Sequence, residues 1–115
     1  MTKAEIDAYF DAVYDYKEKF NEEFPGYFID DRTYPEQTKI VRQCIKDNKL
    51  LTSTPPGSML PKDVQEFNNT FYMYEKKFGE KFPTFFMGDH KQMTQTMLEY
   101  MKRNKPFHYP KGIVV

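Results

Sequence analysis

The chain has no tryptophan, a single cysteine and no net charge, and each shortage narrows what it can be. Cys44 has no second cysteine to pair with, so no disulfide framework holds the fold, in keeping with a reducing compartment. No stretch approaches the ~20 apolar residues that a membrane-spanning helix needs. The opening MTKAEIDAYF also lacks the apolar segment of a secretory signal, so the expectation is a cytoplasmic, soluble protein. With 17 cationic and 17 acidic side chains, no overall field draws the chain toward phosphate backbones. Glycine-rich phosphate loops, nucleophile elbows, HExxH and paired-cysteine patterns are missing too. No catalytic residue, cofactor or metal is therefore expected, and the chain does not read as an enzyme.

What is present is aromatic. Eleven phenylalanines and nine tyrosines in 115 residues supply a core for one domain, which at this length buries roughly two-thirds of the surface its unfolded chain exposes. The charge is unevenly spread: residues 1–57 carry 8 cations and 11 anions, residues 58–115 carry 9 and 6. That polarity leaves association of two copies open as an expectation.

The strongest pattern is an internal echo. KFNEEFPGYF (19–28) returns as KFGEKFPTFF (77–86). At an offset of 58 the segments 14–31 and 72–89 are identical at nine of eighteen positions, including Tyr16/Tyr74, Phe20/Phe78, Phe24/Phe82, Pro25/Pro83 and Phe28/Phe86. At an offset of 56, IKDNKLL (45–51) aligns with MKRNKPF (101–107). The reading is one domain, 1–115, made of two repeat units, 2–57 and 58–115.

Each unit reads as a long helix, an FP connector, a shorter helix and an irregular tail. Ile6, Tyr9, Phe10, Val13, Tyr16 and Phe20 recur at three- and four-residue steps, as do Val64, Phe67, Phe71, Tyr74 and Phe78. Thr2 with Glu5, Thr33 with Glu36 and Asp89 with Gln92 have the spacing of capping boxes. Asn21, Gly79, Asn48 and Asn104 stand at the helix ends, where a left-handed backbone is wanted. The expected fold is mainly α: four helices as two duplicated helix–FP connector–helix units packed about a pseudo-two-fold, with the triplets YFI and FFM able to pair as a minor two-stranded ribbon.

Candidate functional residues come from the connectors and the tail. Tyr27, Tyr34, Phe85 and Tyr109 are aromatics in loops on a helical frame, the position in which recognition anchors occur, and they mark the expected protein-binding surface. The alternative is a nucleic-acid-associated protein using the segment 102–111, where Lys102, Arg103, Lys105 and Lys111 alternate with Phe107 and Tyr109. His90 reads as a helix-start residue matched to Arg32, Cys44 as a buried small hydrophobe, and six methionines crowd the second unit as core filler or contact surface. The leading expectation is a small protein-interaction module whose partner the residues do not identify.

Overall fold

The computed structural model describes residues 1–84 and 88–108, and they form four helices with no strand among them. The chain divides into two compact units, Met1–Met59 and Leu60–Val115, each a pair of packed helices. No helix among the described residues is long and apolar enough to cross a membrane.

In the first unit α1 spans Lys3–Phe20 and α2 spans Tyr34–Asp47. Both begin with a complete capping box, Thr2 with Glu5 and Thr33 with Glu36, in which the hydroxyl accepts the N3 amide and the glutamate accepts the N-cap amide. Both end on a left-handed asparagine: Asn21 at φ 57° closes α1 and Asn48 at φ 56° closes α2. Between them the chain curls into a 3-10 turn, Gly26–Ile29. That turn corrects half of the expected ribbon, because Tyr27–Ile29 are not extended: the Phe28 amide donates to Pro25 O at 3.2 Å, which bends the segment back on itself. Phe85–Met87, the other half, lie outside the described residues.

The second unit repeats the order, with α3 at Lys62–Phe78 and α4 at His90–Lys102. Pro61 is the N-cap of α3 rather than its first helical residue, and Gly79 at φ 72° closes it. Asp89 and Gln92 complete the capping box of α4. Past its end, Asn104 at φ 56° donates to Met101 O and Lys105 donates to Tyr100 O. These are the same bonds that Asn48 and Lys49 make to Ile45 O and Cys44 O.

Each unit is organised around one tyrosine with no exposed surface. Tyr16 packs its ring on Phe20 and Phe24, at centroid distances of 4.7 and 5.0 Å, and its hydroxyl accepts the Leu51 amide at 3.1 Å. Tyr74 packs on Phe78 and Phe82, at 4.8 and 5.3 Å, and its hydroxyl accepts the Phe107 amide at 2.7 Å. Each bond ties the segment after the shorter helix back to the longer one. Ala12, Phe24, Phe28, Ile29 and Val41 are also buried in the first unit; Phe67, Phe82, Met93 and Met97 cluster with Tyr74 in the second, where Tyr72 is buried as well. Phe28 is fully buried, consistent with a plug at the end of the core.

Phe10, expected on the buried stripe, is 58% exposed, while the smaller Ala12 is fully buried. The stripe of α1 therefore runs through Ala12 and Tyr16, with Phe10 to one side. The methionines divide: Met93 and Met97 are core, whereas Met59 and Met73 are exposed.

Tyr16→Phe and Tyr74→Phe are each expected to cost about 1 kcal/mol, since each leaves a partly buried amide without its acceptor; urea unfolding of the two variants checks this. Gly79→Asn should be almost neutral, because Asn21 already holds that conformation in the first unit, whereas Gly79→Val should lose more than about 1 kcal/mol. Burial, partly opposed by the Leu51 amide, pushes the Tyr16 phenol up from 10.0 to about 12. The native state thus keeps a proton that the unfolded chain releases, so stability should hold up to about pH 10 and fall as pH rises toward 12. Unfolding midpoints taken alongside absorbance at 295 nm test that sign.

Candidate functional site

One concavity lies within the first unit. An open pocket of about 630 Å³, within the size range of ligand sites, lies where the first half of α1 meets the start of α2. Its lining brings Glu5 and Tyr9 from α1 together with Asp30 and Arg32 from the connector and Tyr34 from the first turn of α2.

Local structure explains the convergence. Tyr9 and Tyr34 meet with ring centroids 5.3 Å apart and planes inclined at 58°. The connector passes close under the Tyr9 hydroxyl because residue 26 is glycine; a Cβ there would lie 3.1 Å from that oxygen. The Gln37 amide group donates to Arg32 O at 2.7 Å, fixing the connector against α2. The Arg32 guanidinium donates to Pro56 O at 2.8 Å, and the neighbouring Asp31 carboxylate accepts the Met59 amide at 2.7 Å. Together these two bonds hold the segment 56–59 to the connector. The Arg32 Nε is buried without a hydrogen-bond partner.

The electrostatics differ from side chain to side chain. Glu5 is held below the usual carboxylate range by its bonds to Thr2, so it stays ionised. Asp30 is pushed up by partial burial and then by the charge of Asp31. The Tyr9 phenol is raised by burial, by Asp30 and by Tyr34, and remains a neutral hydrogen-bond donor across the ordinary pH range. The pocket thus offers two aromatic rings, a phenol donor and two carboxylates, but no nucleophile paired with a base. Among the described residues no three histidine, cysteine, aspartate or glutamate side chains converge as a metal site would require.

The residues singled out from the sequence are dispersed. Tyr34 lines the pocket. Tyr27 is half-buried with its ring 4.8 Å from that of Phe28. Phe85, Tyr109 and Lys111 lie outside the described residues. Lys102, Arg103 and Lys105 are exposed around the end of α4, but Arg103 pairs with Glu99 at 3.7 Å and lies over the Tyr100 ring at 4.7 Å. Phe107 packs against Phe82 and Tyr100 rather than presenting a free face for a base. His108 contacts Glu80 at 2.8 Å.

Two expectations are corrected. His90 occupies the place of Tyr34, not of Arg32: each is the first residue of its helix, and His90 packs on Phe67 at 4.9 Å as Tyr34 packs on Tyr9. Cys44 is half-buried rather than fully enclosed, and its thiol is raised by burial and by Asp47. Tyr9 and Asp30 were the residues missed, Tyr9 because it reads as core and Asp30 because paired carboxylates are common on surfaces. The signal that could have revealed them is a difference between the units: Tyr9 and Asp30 stand where the second unit has Phe67 and Gly88.

Comparisons with protein-family models, with curated proteins and with solved structures find no match for this chain.

Arg32→Ala should release the segment 56–59, speeding amide exchange there roughly five- to tenfold, as loss of a bond worth about 1 kcal/mol implies. Because the same change removes a buried, unpartnered Nε, global stability should shift by less than about 1 kcal/mol. Hydrogen exchange beside a urea melt separates the two effects.

Proposed function

We propose that this protein is a non-enzymatic protein-interaction module, an adaptor, regulator or inhibitor, whose recognition surface lies on the first unit. The observation that carries this reading is the open Tyr9–Tyr34 pocket, on the same helix as two exposed aromatics, Phe10 at 58% and Tyr14 at 64%. Aromatic rings held on a rigid helix supply contact area at low entropic cost, which is why they dominate binding hot spots. The absence of a nucleophile–base pair around the pocket supports binding over catalysis.

A duplication of the helix–connector–helix unit belongs to the proposal. The matched bonds of Tyr16 with Leu51 and Tyr74 with Phe107 support it, as do the matched left-handed helix ends. On this view most of the repeated residues maintain each unit, and Tyr9, Phe10 and Tyr34, which differ between the units, carry the binding together with the repeated but exposed Tyr14.

The test is a tagged pull-down from lysate of the source organism, with and without nuclease, run beside the variants Tyr34→Ala and Phe10→Ala. A stoichiometric protein that survives nuclease and is lost at least tenfold with Tyr34→Ala is the expected result, circular dichroism having shown the variant folded. A captured protein indifferent to both substitutions would move the surface elsewhere. Material that vanishes with nuclease would favour the exposed Lys102 and Lys105 and a nucleic-acid role instead.

A further inference from the structure

Among the described residues, the exposed large apolar side chains that stand on helices form two pairs, one on each unit. In the first unit they are Phe10 and Tyr14, one turn apart on α1; in the second they are Met73 of α3 and Leu98 of α4, each 49% exposed. Neither pair is repeated in kind by the other unit. At the offset of 58 the positions of Phe10 and Tyr14 hold Asn68 and Tyr72, which are buried. At the offsets of 58 and 56 the positions of Met73 and Leu98 hold Asp15 and Arg42, which join α1 to α2 by an ion pair of 2.6 Å. The first unit thus puts opposite charges where the second leaves two apolar side chains open to water.

The charges beside the two pairs differ in sign. Asp11 and Glu18 border Phe10 and Tyr14 on one flank, exposed and without an ion-pair partner among the described residues. Asp7 is neutralised by Lys3 at 2.8 Å, and Lys17 stands on the other flank. On the second unit, Lys77 and Lys102 are exposed one turn beyond Met73 and Leu98, and Lys91 is exposed two turns before Leu98. Glu66 opposes them, while Glu99 is engaged by Arg103 and Glu80 by His108. The units as wholes follow the same division, with 8 cations against 11 anions in the first and 9 against 6 in the second.

We infer that the occupant of each face is the other face on a second copy of this chain, the Phe10–Tyr14 face of one copy seating on the Met73–Leu98 patch of the next. The inference takes Phe10 and Tyr14 as contact residues from the interaction reading above, and it names their partner. Rings laid on a thioether and a leucine remove exposed apolar surface on both sides, and Asp11 and Glu18 meet a cationic rim. Like faces match less well: two α1 faces would oppose Asp11 and Glu18 to their own copies, and two second-unit patches would do the same with Lys77 and Lys102. The contact is therefore heterologous, head to tail. With 17 cations and 17 anions on the chain, no net charge holds the copies apart.

The contact is small, so a dissociation constant of about 100 μM is expected. The experiment is sedimentation velocity of the full chain from about 10 to about 500 μM, at about 30 mM and at about 500 mM salt. The weight-average sedimentation coefficient should rise with concentration, and rise less at the higher salt. Phe10→Ala with Asp11→Lys, and separately Leu98→Ala with Lys102→Glu, should each leave the chain monomeric, circular dichroism and urea unfolding having shown both variants folded. Because each variant keeps one face intact, mixing the two should restore a one-to-one complex, which pairing of like faces would not give. A chain monomeric at every concentration, association indifferent to either variant, association strengthened by salt, or a mixture as monomeric as its components would each overturn the inference. A monomeric chain that still captures a foreign protein through Tyr34 would sink this inference and leave the interaction reading intact.

Discussion

One hydrogen bond, made twice, disciplines the fold: a fully buried tyrosine hydroxyl accepts a backbone amide from the segment that follows the shorter helix. A phenol is a poor thing to bury without a partner, and an amide leaving a helix end needs an acceptor, so each group resolves the other's problem. The bond forms only when the helices have packed and the chain after them has folded back. Helix pairing, the ring cluster of Tyr16 with Phe20 and Phe24, and the course of the tail are thereby tied to one another. The second unit meets the same constraint with Tyr74, Phe78 and Phe82.

Helix ends were legible in the sequence because the signals that set them act within four residues. The capping boxes at Thr2, Thr33 and Asp89 and the left-handed residues Asn21, Asn48, Gly79 and Asn104 need no tertiary context to be read. The breadth of a buried face is a different matter. Tyr9, Phe10 and Val13 all satisfy a helical period, and only the packed structure shows Phe10 turned outward and Ala12 enclosed. The connector was harder still: Tyr27–Ile29 have the residue types of a strand, and the turn that they make follows from the Phe28 amide bonding to Pro25 O.

The pocket was only partly legible. Tyr34 stood out as a connector aromatic and proves to be the first residue of α2, but its neighbours come from α1 and from the connector, and no local pattern joins Glu5, Tyr9 and Asp30. The basic segment is another place where chain order and spatial arrangement differ. Alternating cations and aromatics look like a nucleic-acid platform in one dimension; in three, Arg103 covers Tyr100 and Phe107 turns into the core. The matched residues Tyr16/Tyr74 and Phe24/Phe82 lie in the cores, whereas Tyr9, Asp30 and Tyr34 of the pocket stand where the second unit's sequence has Phe67, Gly88 and His90.

The distribution of sulfur carries a chemical consequence. The second unit builds its core with Met93 and Met97, where the first has Gln37 and Val41 at the corresponding positions. A thioether is oxidised to a polar sulfoxide, and a core that admits such a group must open to accept it. The exposed Met59 and Met73 meet an oxidant before the enclosed pair does. Oxidative ageing of this protein is therefore lopsided: it reaches the interior of the second unit at the rate at which that unit opens, and it leaves the buried core of the first, which contains no methionine, chemically intact.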